Sequence, residues 1–163
     1  MSDSTGPARA GEDSIAQILD QLYSVISFEE GDEPSWSGLE RVFSEHARIT
    51  RLSPEATDYM DRAGFLQMVR SMLDAGAYTS FHEFELARRV ERFGNMAQVW
   101  SLYETRCNRA SRDALNRGVN SIQLVLEDEE WRVVGLLWDE THAHPELDVS
   151  RLLGGEEGHH GQD

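Results

Sequence analysis

The sequence predicts an α+β domain in which three helices pack on one face of a curved antiparallel sheet, and three observations carry that prediction. First, Gly118 to Glu140 reads as two strand-forming runs rich in Val, Ile, Leu and Trp, hinged on the polar turn Glu127, Asp128, Glu129 and Glu130. Second, apolar residues recur at helical spacing in three stretches before residue 76. Third, from Tyr78 onward the period drops to two, which is the spacing of a strand with one buried face.

The helices come first in the chain. Residues 1–12 are Ser, Gly, Ala and charge without periodicity and read as a disordered lead. Asp13 or Ser14 can cap a first helix whose stripe is Ile15, Ile18, Leu19, Leu22 and Ile26, with Tyr23 at its edge. Phe28 to Trp36 holds Gly31, Pro34 and acids and reads as a loop, after which Ser35 or Ser37 can start a short helix through Leu39, Val42 and Phe43. Ala47 to Leu52 reads as a first strand. Ser53-Pro54 breaks it, and a connection containing Tyr59 leads to Asp61, an N-cap for a third helix through Phe65, Met68, Val69, Met72 and Leu73 that Gly76 ends.

The strands follow. His82, Phe84, Leu86, Arg88 and Val90 alternate with Phe81, Glu83, Glu85, Ala87 and Arg89 up to a turn at Gly94-Asn95. Met96 to Arg106 is the next strand, with Trp100 and Leu102 on one side and Val99, Ser101 and Tyr103 on the other. Cys107 to Arg117 is a polar loop before the hairpin. With the hairpin turn centred on Asp128-Glu129, Leu126 opposes Trp131, Leu124 opposes Val133, Ile122 opposes Gly135 and Asn120 opposes Leu137. One face then carries Ile122, Leu124, Leu126, Trp131, Val133 and Leu137 as a core wall. The other carries Val125, Val134, Leu136 and Trp138, an apolar patch fringed by Ser121, Gln123 and Arg132 that predicts a homodimer through the open sheet face. Residues 13–141 are expected to form the single domain and residues 142–163 an acidic tail with His and Gly, with one helical turn expected at Leu147 to Leu153.

Composition narrows the function classes. A net charge of -15 over 163 residues argues against nucleic acid and anionic membrane as partners, because affinity for phosphates comes from Lys and Arg. All 15 basic residues are Arg. No apolar run approaches the roughly 20 residues a membrane helix needs, the first residues lack the pattern of a secretory signal, and the single Cys107 excludes an intrachain disulfide, so a cytoplasmic location is expected.

The order of elements and three passages resemble the nuclear transport factor 2-like superfamily, in its SnoaL-like and uncharacterised bacterial branches. The passages are Phe93 to Glu104, Arg117 to Leu124, and Trp131 followed by Trp138, and the resemblance spans about Ser14 to Glu140. It implies a cystatin-like cone with a pocket between helices and sheet, and no particular reaction, since that fold hosts isomerases, dehydratases, hydrolases and non-catalytic assembly modules. Ketosteroid isomerases of the superfamily use a tyrosine of the first helix, which Tyr23 resembles, and a carboxylate after the first strand, where this chain has Arg48-Ile49-Thr50-Arg51. Where they have a second acid, this chain offers Asn120 and Ser121. Limonene epoxide hydrolases use an Asp-Arg-Asp set, from which Glu104, Arg106 and Asp139 depart in type and spacing.

The candidate site residues follow from these readings. His82 and Glu104 are the catalytic candidates, His82 because an imidazole near a carboxylate exchanges protons near neutrality, although a histidine at a strand end more often bonds to backbone or water. Tyr23, Tyr103, Arg106 and Asn120 are the ligand-binding candidates. Asn120, next to the gap left by Gly135, is expected to face a wet cavity with His82, Tyr103 and Glu104 as companions, the alternative being a closed bond to Tyr103, Glu104 or Tyr23. Arg106, Arg109, Arg112 and Arg117 could hold a carboxylate or phosphate ligand, but such clusters are more often neutralised by the protein's own acids or by a partner subunit's. His142, His144, His159 and His160 lack the spacing of a metal site, so neither metal nor cofactor is expected. The function classes left are a small-molecule domain of lyase, isomerase or hydrolase type with an apolar or carboxylate ligand, and a pocketless assembly module whose cone is plugged by Phe65, Met68, Trp100 or Tyr103.

Overall fold

A computed structural model gives the architecture, with residues 7–154 described. Three helices, α1 (Pro7–Ile26), α2 (Trp36–Val42) and α3 (Arg62–Asp74), accompany six strands: β1 (Phe43–Leu52), β2 (Thr57–Asp61), β3 (His82–Phe93), β4 (Met96–Arg106), β5 (Asn116–Glu127) and β6 (Glu130–Glu140). The strands form one sheet in the order β2-β1-β6-β5-β4-β3. All neighbours are antiparallel except β1 and β6, which run parallel, so the sheet is mixed where the sequence predicts antiparallel pairing throughout. Short 3-10 turns at Thr141–Ala143 and Val149–Leu153 follow, the second close to the expected Leu147 to Leu153 turn. Among the described residues, no helix is long and apolar enough to cross a membrane.

Local chemistry sets most of the element ends. Ser35 caps α2 by accepting from the Gly38 amide, and Asp61 caps α3 by accepting from the Gly64 amide. The β5–β6 turn places Asp128 and Glu129 at φ of 49° and 66°, the double left-handed geometry that matches the twist of a two-residue hairpin. Two expectations fail here. Helix α1 begins at Pro7, since the pre-set φ of proline suits a first helical position, rather than at a cap on Asp13 or Ser14. The connection around Tyr59 is the edge strand β2, held by its ladder to β1.

The core lies between the helices and the inner sheet face. Ile15, Ile18, Leu19 and Leu22 of α1 and Phe65 of α3 meet Phe43, Ile49, Val99, Ile122, Leu124, Trp131 and Val133. The hairpin register holds as expected from Glu127–Glu130 to Leu124–Val133 and then slips, because Val134 is an extra residue on β6. Beyond that bulge Ile122 opposes Leu136, Ser121 opposes Leu137 and Asn120 opposes Trp138. The slip reverses the faces: Leu136 is buried, Trp138 packs on Phe65 at 6.4 Å between ring centroids, and Leu137 is 42% exposed. The predicted outer patch therefore loses Leu136 and Trp138, and the predicted core wall loses Leu137. A second bulge, at Leu86, shifts β3 against β4 between Glu85–Tyr103 and Ala87–Leu102.

Candidate functional site

The inner face of the sheet changes character towards the β3 end. In the row Arg88, Ser101, Asn120 and in the neighbouring rows Glu85, Tyr103, Gly118 and Glu83, Thr105, the apolar residues give way to polar ones. Because β3 is the free edge of the sheet, these rows end beside α1 and the loop 27–35. The loop is tied to the strand by the Phe28–Phe81 bridge and by the Glu83 amide donating to Ser27 Oγ at 3.1 Å.

The polar rows form one directed hydrogen-bond network. Asn120 Nδ2 donates to Tyr23 Oη at 3.0 Å and to Glu83 Oε1 at 3.3 Å. Tyr23 Oη lies 2.6 Å from Ser101 Oγ, and Ser101 Oγ donates its only proton to Glu85. The Tyr23 hydroxyl must then donate to Ser101, so the chain of donors runs Tyr23 to Ser101 to Glu85. Arg88 holds Glu85 and also reaches Asp20 Oδ1 at 2.7 Å.

This arrangement treats its two inward glutamates differently. Glu85 has a guanidinium and a hydroxyl; burial raises its pKa, and Ser101 and Arg88 pull the other way. Glu83 has no cation beside it, only the Asn120 amide, so burial dominates and its carboxyl is pushed up to about 7. It is therefore close to half-protonated at neutral pH, where the network leaves it able to gain or lose a proton. Burial and then the Glu83 charge raise both Tyr23 and Tyr103, which keeps the two phenols protonated.

A cleft of about 810 Å³ opens onto this network, between α1, the loop 27–35 and β3. Tyr23, Glu83 and Glu85 lie on its wall with Phe28, Phe84 and His82, and Arg109 reaches it from the β4–β5 loop. A second cleft, of about 450 Å³, lies between α1, α2 and the hairpin turn, and its carboxylates, Glu129 and Glu130, belong to the exposed turn.

The residues singled out in the sequence divide into two groups. Tyr23, Asn120 and Tyr103 share the inner face, with Tyr103 lying across Gly118. His82 lines the cleft from the other face of β3, where Glu29 Oε1 stands 3.0 Å from Nε2 but off the axis of a hydrogen bond. Glu104 and Arg106 lie on the outer face, away from Asn120: Arg106 and Arg117 both donate to Glu104 and hold its carboxyl below the usual range. Half of the arginine cluster is thus neutralised by one internal acid. Of the expected companions of Asn120, Tyr103 shares its face, while the amide makes the closed bond to Tyr23 that was the alternative to a wet cavity, with Glu83 as its second partner. Gly135 leaves no core gap beside it, because Gln123 Oε1 lies 2.9 Å from where a Cβ would stand. Among the expected plugs, Phe65 and Met68 pack in or against the core and Trp100 faces outward, while Tyr103 is buried on the inner face opposite Glu85. His142 and His144 pair with Glu140 and Asp139, while His159 and His160 lie outside the described residues. Glu83 and Glu85 were not legible as site residues, because simple alternation gives them the polar, outward side of the strand.

No protein-family model matches the sequence, and no curated protein is significantly similar to it. Solved structures are similar in shape. A nuclear transport factor 2-like protein of unknown function from Silicibacter pomeroyi superposes with a TM-score of 0.57 at 18% identity, covering 83% of this chain and 99% of the other. A protein with a cystatin-like fold from Nostoc punctiforme gives 0.64 at 11% identity, covering 83% and 95%. A hexachlorocyclohexane dehydrochlorinase from Novosphingobium barchaimii gives 0.63 at 13% identity, covering 82% and 88%. With its helices on one face of a curved sheet, this chain has the nuclear transport factor 2-like, cystatin-like fold.

Proposed function

We propose that the chain binds a small organic molecule in the cleft beside β3 and carries out proton-transfer chemistry on it, of the lyase or isomerase kind, with Glu83 as the group that takes or returns the proton. The observation that carries this reading is the pairing of Glu83 with Asn120 at the end of the hydrogen-bond network. Glu85 is held by Arg88 and Ser101, whereas Glu83 has the Asn120 amide and no cation beside it, which suits a group that takes and returns a proton. Asn120 positions it, and the aromatic walls Phe28 and Phe84 offer an apolar body of substrate somewhere to lie. That a dehydrochlorinase shares the fold is compatible with elimination chemistry and carries no more weight than shared fold does.

A nitrobenzisoxazole tests this directly, since its ring opens when any well-placed base removes one activated C–H proton. Ring opening should rise with pH to a plateau above about 7 and be lost in Glu83→Gln. A rate no greater than that of free acetate at equal concentration, unchanged in Glu83→Gln, overturns the proposal.

A second reading, a dimerising assembly module, draws on the outer sheet face. After the bulge that face still presents Trp100, Leu102, Val119, Val125 and Val134, all half-buried, with exposed Leu137, while the 3-10 turn Val149–Leu153 packs against β3 and β4. We propose that a second copy covers this face. Light scattering should then give about twice 18.5 kDa. A monomer at micromolar concentration contradicts it.

A further inference from the structure

The charge of the cleft narrows its ligand. Six carboxylates line it, from Asp20, Glu29, Asp32, Glu33, Glu83 and Glu85, against two guanidiniums, Arg88 and Arg109. Arg88 is committed to Asp20 and Glu85, so the loop acids Glu29, Asp32 and Glu33 face Arg109 as the one remaining guanidinium of the lining. A cleft of this sign concentrates cations and repels anions, which reverses the expectation of a carboxylate ligand.

An independent observation points the same way. His82 is only 5% exposed, and its Nε2 has no aligned hydrogen bond. With the ring in its Nδ1–H tautomer, Nε2 and Glu29 Oε1 are two acceptors side by side, and a donor-rich group such as an ammonium is what satisfies both. Tyr23 and Phe28 add aromatic surface, which attracts cations and accepts an apolar body, while the Phe84 ring already carries the Arg106 guanidinium and stacks on His82.

We propose that the cleft selects a small organic ammonium, its head held by the loop acids Glu29, Asp32 and Glu33 beside His82 and its apolar body extending toward Glu83. The proposal rests on the reading of this cleft as the small-molecule site, and it assigns the substrate class that the site takes.

The experiment uses three probes of one skeleton and different charge, 2-phenylethylammonium, 2-phenylethanol and 3-phenylpropanoate, titrated into the full-length protein with amide chemical shifts as the readout. The ammonium should bind about tenfold more tightly than the alcohol at low salt, with the carboxylate weakest. That preference should collapse in about 1 M salt, where charges are screened within about 3 Å. Replacing the loop acids together, as Glu29→Gln, Asp32→Asn and Glu33→Gln, should remove most of the preference. Removing the same charge elsewhere, as Glu45→Gln, Glu55→Gln and Asp74→Asn, should leave it.

Equal binding of all three probes, or tightest binding of the carboxylate, overturns the ammonium assignment while leaving the small-molecule site standing. An equal loss of preference in the control variant overturns it too, because the attraction would then belong to the overall charge. Shifts at Tyr23 and Glu83 with none of the probes would sink both this proposal and the reading it rests on.

Discussion

Asn120 of β5 donates to Tyr23 of α1 at 3.0 Å and, through its second N–H, to Glu83 of β3 at 3.3 Å, so one amide joins a helix to the edge strand of the sheet. The position of Glu83, whose carboxyl is pushed up to about 7, depends on it. An aspartate here would add a charge beside Glu83, and an aliphatic residue would leave two partners unserved.

Asn120→Leu should therefore lower stability. The substitution leaves the Tyr23 oxygen and the Glu83 carboxyl without a donor, a cost of about 1 to 3 kcal/mol for unserved buried groups. At this size that corresponds to roughly 2 to 12 °C in Tm, read by calorimetry. An unchanged or raised Tm would mean that the amide faces water after all.

Glu83→Gln should stabilise the fold, and only above weakly acidic pH. The carboxyl is pushed from its usual value of 4.5 to about 7 in the folded state, so the folded chain holds that proton longer than the unfolded chain does. Stability is fully present below about pH 4.5, falls as pH rises towards 7 and then levels off, a loss of roughly 3 kcal/mol for the wild type. The groups that face Glu83 (Tyr23, Tyr103, Asn120 and, beyond them, Glu85) are common to both proteins, so the difference between the two isolates it. The Tm of Glu83→Gln should match wild type near pH 4.5 and exceed it by several degrees at pH 8. A gap independent of pH would contradict the assignment.

Gly118→Ala should be costly because of one neighbour. A Cβ at Gly118 would stand 2.2 Å from Tyr103 Oη and 2.4 Å from its Cζ, and Tyr103 is only 4% exposed, so the ring cannot simply swing away. Overpacking of this kind costs about 1 to 3 kcal/mol. In a Tyr103→Leu background the same substitution should cost far less, and a double-mutant cycle by chemical denaturation measures the coupling. Additive costs would show that the two residues are not in contact.

Features decided within a few residues were legible in the sequence, and those decided by a partner strand were not. The Asp128-Glu129 turn, the Ser35 and Asp61 caps and the whole of β4 from Met96 to Arg106 can be read locally, since turn and cap chemistry involve neighbours in the chain. The bulges at Leu86 and Val134 cannot, because one extra residue in a strand is defined only against the strand opposite. Those two residues decide most of what was misread. The Val134 bulge turns Leu136 and Trp138 inward, and the Leu86 bulge brings Arg88 onto the same face as Glu83 and Glu85. Asn120 stands out in the sequence because a polar group on an apolar stripe is conspicuous, and Tyr23 because it resembles the first-helix tyrosine of the ketosteroid isomerases. Glu83 does not, because a glutamate in an alternating strand is the ordinary sign of an exposed face.

A carbon-detected NMR titration of glutamate-labelled protein, assigned by comparison with Glu83→Gln, reads the protonation state of the Glu83 carboxyl directly. Glu83 should titrate with a midpoint of about 7, well above the usual glutamate value of 4.5. A midpoint at the ordinary value near 4.5 would mean that the carboxyl is solvated and ionised at neutral pH, and the proton-transfer reading of the cleft would be wrong.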